Sequence, residues 1–116
     1  MSNEVVIKDK HLSIDLNGYN LVVTTIGLNN TNLEIKDSKS TGKLSIAGDN
    51  EDLLKGIKID NKSTLRITNG NYEGKNLLQV EGTLYVVNGN FNNKQEEIIN
   101  KSENSKVEIL GGTFII

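Results

Sequence analysis

The sequence predicts an all-β fold, a short right-handed parallel β-helix of about five three-faced coils. Three observations point there. Pairs of apolar residues two apart recur every 19–24 residues along the chain. Similar Gly-containing corners follow several of these pairs. Proline, which cannot donate to a strand ladder, is absent altogether. The 116 residues are read as a single domain, with 1–10 as an N-terminal capping strand and 11–116 as coils.

Taken in order, Val5-Val6-Ile7 is the candidate strand closing the N-terminal end. A first column of anchors reads Leu21, Leu44, Leu65, Leu84 and Val107, at spacings of 23, 21, 19 and 23. A second reads Leu12, Leu33, Ile57, Leu78 and a weaker position near Ile98, spaced 21, 24, 21 and 20. A third follows seven residues after most first-column anchors: Leu28, Tyr72, Phe91 and Phe114, with Leu53 or Leu54 in the remaining coil. Alternation with a period of two points one set of side chains inward and the other to solvent. Recurrence of three such columns describes a solenoid whose coils stack in parallel.

In this alignment Glu34 lies over Lys58, and Lys36 lies between Asp15 and Asp60, so opposite charges neighbour one another. Arg66 falls in an outward row with Val22, Ser45, Tyr85 and Glu108, where its guanidinium can lie against the Tyr85 ring. The next outward row is Thr24, Ala47, Thr68, Val87 and Leu110. Asn69-Gly70, Asn88-Gly89 and Gly111-Gly112 occupy equivalent corners, where Asn and Gly tolerate the left-handed backbone region. Asn-Gly is also a common hairpin turn, which would give an antiparallel meander instead. The recurrence of the whole unit favours the solenoid.

Composition narrows the function classes. Without cysteine there is neither a disulfide framework nor a Cys-rich metal site. The net charge is −2, with a single Arg and scattered Lys, so the basic stripe of a nucleic-acid binder is missing. No long apolar run predicts a secretory signal or a membrane span.

The runs LSIDLNGYNL at 12–21 and LEIKDSKSTGKLSI at 33–46, followed by the NGNY and NGNF units, resemble the pectate-lyase-like right-handed β-helix superfamily. Within it the chain looks most like the short Asn-rich β-helices of phage virion proteins and bacterial surface adhesins. That resemblance bears on architecture more than on function. The acid clusters with which polysaccharide-cleaving members work have no residue-by-residue match here.

Candidate chemistry is sparse. The outward acids Asp15, Glu34, Asp60, Glu81 and Glu108 read as solvated charge ladders rather than a hydrolytic pair. Asp49, Glu51 and Asp52 form the densest acidic cluster and are weak candidates for calcium. His11, the only histidine, has no second ligand of its type nearby in sequence. The sequons at Asn29, Asn61 and Asn100 are expected by chance in a chain so rich in Asn.

Partner contact is expected at the C-terminal end, through Tyr85, Val87, Leu110, Phe114, Ile115 and Ile116. Together they form an apolar patch of the kind that marks interfaces. The expected function is therefore a non-enzymatic structural component of a phage virion, a capsid decoration or a tail or baseplate appendage. No cofactor, nucleic acid or membrane is expected; the partners are another protein, a second copy or a host glycan. The alternative is a carbohydrate-binding adhesin module at a cell surface or outside the cell. A third reading is a polysaccharide lyase or hydrolase with an intersubunit site.

Overall fold

Fifteen strands follow one another with no helix between them among the described residues, which in this computed structural model are 4–46, 56–74, 78–93 and 99–115. The first rung comprises β1 (Glu4–Lys8), β2 (His11–Asp15) and β3 (Asn20–Val23). The second comprises β4 (Thr25–Asn29), β5 (Asn32–Lys36) and β6 (Lys43–Ile46), and the third β7 (Gly56–Ile59), β8 (Thr64–Ile67) and β9 (Asn71–Gly74). Then come β10 (Leu78–Val80), β11 (Thr83–Val86) and β12 (Asn90–Asn93), and finally β13 (Ile99–Lys101), β14 (Lys106–Ile109) and β15 (Thr113–Ile115).

Every third strand lies on the same face. The faces are three five-stranded parallel sheets: β1-β4-β7-β10-β13, β2-β5-β8-β11-β14 and β3-β6-β9-β12-β15. From β1 to β13 the chain makes about four turns, and β14 and β15 continue beyond them. The molecule is a three-faced parallel β-solenoid, close to the coil number expected from the repeat.

Short strands suffice because each buries one apolar face against the two other sheets. The inward rows are Leu33, Leu65 and Leu84 with Ile35, Ile67 and Val86 on the second face, and Leu44, Tyr72 and Phe91 on the third. On the first face Ile26, Ile57 and Leu78 align with Leu28, Ile59 and Val80. Tyr72, Phe91 and Phe114 stack with centroids 5.1 and 4.9 Å apart and planes within 13° and 7°. Those separations match the interstrand distance, so the rings stack without tilting the strands.

One feature of the repeat differs from the even spacing. Leu33 pairs with Leu65, 32 positions on, and Leu44 with Tyr72, 28 positions on. On the first face Ile26 pairs with Ile57, 31 positions on, and the remaining rung-to-rung steps span 19–23 residues, as from Tyr72 to Phe91 and from Phe91 to Phe114. The extra length falls mainly between β6 and β7. Even spacing therefore leaves the alignment one face short at this step. Leu21 and Leu44 belong to the column of Tyr72, Phe91 and Phe114, not to that of Leu65, Leu84 and Val107. Leu12 and Leu33 join Leu65, and Leu28 lies on the first face with Ile59. Leu53, Leu54 and Ile98 lie outside the described residues, and the strand that pairs with Leu78 starts at Ile99.

The charge ladder changes with the register. Glu34 faces Arg66, and Lys58 faces Gly27 and Gln79. Lys36 keeps Asp15 as its neighbour but not Asp60, which follows β7 on another face. The row containing Arg66 reads Ser13, Glu34, Arg66, Tyr85, Glu108, with Val22 and Ser45 moved to the third face. Likewise Thr68, Val87 and Leu110 follow one another, but Thr24 follows β3, and Ala47 lies outside the described residues.

Two corners show why the chain turns where it does. Gly70, Gly89 and Gly112 all have positive φ, at 122°, 142° and 119°, a conformation that side-chain-bearing residues rarely adopt. At Gly82 a Cβ would collide with the carbonyl oxygens of Asp60 and Ser63 in the preceding rung. Only glycine lets those backbones approach.

Candidate functional site

Two surfaces merit functional reading: the outer face of the second sheet and the two end rungs. On the second sheet the strand alternation that buries Leu33, Leu65 and Leu84 turns Glu34, Arg66 and Tyr85 outward in one row. A shallow groove of about 360 Å³ runs past His11, Asn32, Glu34, Thr64, Arg66 and Tyr85.

Glu34 is the most tightly held group there. Thr68 donates its hydroxyl to Oε2 at 2.6 Å and Ser13 to Oε1 at 3.3 Å, and Arg66 Nε lies 4.0 Å from Oε2. The Thr68 hydroxyl is the main cause that holds the Glu34 carboxyl below its ordinary range, with Ser13, Lys36 and Arg66 adding to it. Lys106 places its ammonium 5.8 Å from the Tyr85 ring centre. Arg66 thus turns toward Glu34, and Lys106, not Arg66, is the cation over Tyr85.

The carboxylates do not form a hydrolytic pair on this face. Glu34 and Glu108 are three strands apart in one row, on the order of 14 Å at normal interstrand spacing. Glycosidic chemistry takes two carboxyls about 5–10 Å apart, one of them protonated. Asp15 lies nearer to Glu34, but the N–H groups of Ser38 and Asn17, each at 2.9 Å, hold its carboxyl low as well. Both are ionised at neutral pH, so neither supplies the acid.

Asp49, Glu51 and Asp52 lie outside the described residues. Among the described residues no group of three or more His, Asp or Glu could hold a metal ion, and no helix is long and apolar enough to cross a membrane.

The end rungs are where apolar surface gathers. Among the described residues the large exposed hydrophobics are Val6, Tyr19, Leu21 and Val22 in the first rung, and Ile109, Leu110 and Ile115 in the last. The described residues of the middle rungs contribute none. Leu110 is 69% exposed, whereas Tyr85 and Val87 are half-buried. Phe114 is half-buried against Phe91, Ile115 is exposed beside it, and Ile116 lies outside the described residues. The corresponding N-terminal surface was not anticipated from the sequence. Its signal was the run Leu21-Val22-Val23, apolar at three consecutive positions where alternation calls for a polar residue at Val22.

A second hollow, about 280 Å³, lies on the first sheet above Gly27 and is lined by Val6, Thr25, Asn29, Lys58 and Asp60.

Comparison of the chain with protein-family models, with curated proteins and with solved structures returns no match in any of the three.

Proposed function

We propose that this chain is a non-catalytic structural component of a larger protein assembly, joined to its neighbours through its end rungs. The observation that carries the reading is that, among the described residues, the large exposed hydrophobics all lie in the first and last rungs. A solenoid's end exposes core side chains and unpaired strand edges, both of which favour a covering partner. A virion appendage or capsid decoration is the setting suggested by the likeness of its repeats to those of phage proteins. Light scattering on the purified chain tests the reading. A discrete or growing oligomer that Leu110→Asp disrupts supports it. A monomer whose residues 106–115 exchange amide hydrogens freely removes its basis.

A second reading is favoured by one specific arrangement, the ring of Tyr85 set among Arg66, Thr64, Asn32 and Lys106 on the outer face of the second sheet. Aromatic faces flanked by hydrogen-bonding side chains suit a saccharide, whose own faces are apolar and whose edges are polar. A glycan array probed with the chain and with Tyr85→Ala tests it. Binding that the substitution abolishes supports a carbohydrate-recognition role, and absence of binding across the array counts against it.

A further inference from the structure

On the second and third faces the first and last rungs carry matching apolar rows. We infer that the partner at each end is a second copy of this chain, stacked head to tail so that β13, β14 and β15 of one copy pair with β1, β2 and β3 of the next. This rests on the reading of the end rungs as contact surfaces.

Within the chain every rung-to-rung step is parallel, so the outer edge of β14 has the polarity to accept β2 as its next strand. Extending the established register by one step puts Val107 over Leu12 and Ile109 over Ile14. On the third face the same step puts Phe114 over Leu21 and Ile115 over Val22. Val22 and Ile115 are the informative pair. Both are outward positions more than half exposed, at 56% and 53%, and the row between them is polar: Ser45, Glu73 and Asn92. Apolar residues at outward positions gain nothing inside one copy, but across two copies each covers the other.

Polar groups match as well. Glu108 would lie beside Ser13, whose single hydroxyl proton, now given to Glu34, can turn to either carboxylate. At the third corner Thr113 N–H donates to Gly89 and Asn90 N–H to Gly70, and Lys43 N–H donates to Tyr19. The next member of that series is Asn20 N–H on the Gly112 carbonyl of the neighbouring copy. Three steps are polar on apolar: Leu110 beside Asp15 on the second face, and Asn100 over Val6 and Lys101 over Ile7 on the first, so the match is carried by the second and third faces.

A contact between like ends does not achieve this. A two-fold axis across the solenoid reverses strand direction and matches only one face with itself, so the columns of the other two faces do not continue. A head-to-tail contact is heterologous and leaves one free end of each kind, so the stack can grow.

The test uses the full chain and two variants, Val22→Asp to block the first rung and Ile115→Asp to block the last. Both positions are exposed, and circular dichroism checks that each variant keeps its strands. Light scattering should show wild-type mass rising with concentration through an open series, and each variant alone at the mass of a single copy. An equimolar mixture should give a dimer and nothing larger, because each variant retains the end the other has lost. A dimer that survives Val22→Asp or Ile115→Asp alone, or a mixture that stays monomeric, overturns the head-to-tail stack but leaves the end rungs as contact surfaces. A wild-type chain that is monomeric at every concentration overturns the stack and takes the main support from the structural reading too.

Discussion

Asn69 clasps the peptide of Asp37 from the rung above: its Oδ1 accepts the Asp37 N–H at 2.8 Å, and its Nδ2 donates to the Asp37 carbonyl at 2.9 Å. The side chain thereby reproduces the hydrogen bonding of one strand residue at a corner where the backbone ladder lapses. Asn69→Ala leaves both peptide groups without that partner and should cost about 1–3 kcal/mol, read as a lower urea midpoint with an unchanged slope. Asn69→Asp keeps the acceptor and loses the donor, and its charge sits close to Asp37. It should therefore be more destabilising at neutral than at acid pH.

Asp37 itself is a buried carboxylate, fully covered yet satisfied by backbone. Gly18 donates at 2.8 Å, Gly42 at 2.6 Å and Lys39 at 3.2 Å. Burial pushes its pKa up, but these N–H groups, with that of Ser40, outweigh burial and hold it below the ordinary 3.8. Asp60, where burial is opposed by Ser63, Asn30 and Lys62, is also lowered, as are Glu34 and Asp15. For each group the unfolded chain binds protons more readily, so acid favours unfolding. Stability should be level above about pH 5 and decline as pH falls through and below the ordinary carboxylate range. Thermal melts between neutral pH and the acid limit check this. Asp37→Asn, although less stable at neutral pH, should show a shallower decline.

Phe91 is the middle ring of the aromatic stack and is fully buried, so Phe91→Ala opens a cavity between Tyr72 and Phe114. A loss of about 3–5 kcal/mol is expected from equilibrium denaturation. Tyr72→Phe removes only the hydroxyl that donates to the Asn69 carbonyl at 2.7 Å, and should cost about 1 kcal/mol. A larger loss for Tyr72→Phe than for Phe91→Ala would show that the corner, not the stack, holds this face.

Gly82→Ala should be among the most damaging small substitutions. Its Cβ would strike the carbonyl oxygens of Asp60 and Ser63, both backbone atoms that cannot rotate aside. The cost should reach or exceed the about 1–3 kcal/mol of ordinary overpacking, with Asp60–Ser63 and 81–83 losing hydrogen-exchange protection first. Gly27→Ala is the matched control, since the nearest atom its Cβ would meet is Val6 Cγ2 at 4.0 Å, and it should be nearly neutral.

The sequence by itself determined the class of fold, because period-two alternation, recurring apolar columns and Asn-Gly or Gly-Gly corners act locally and need no knowledge of neighbouring strands. It also put Leu65, Leu84 and Val107 in one column and Tyr72, Phe91 and Phe114 in another. Only the tertiary structure decided which face follows which across the longer step between β6 and β7. Any Leu or Ile satisfies an apolar column, so the pattern is degenerate to a shift of one face, and Leu44 to Leu65 looks as good as Leu44 to Tyr72. The same degeneracy hid the partners of Glu34 and the role of Asp37. A carboxylate in a run of Lys and Ser reads as a solvated charge, and only the folded corner brings the N–H groups of Gly18 and Gly42 to it. The complementarity of Val22 and Ile115 was invisible for a related reason, since it joins residues at the two ends of the stack.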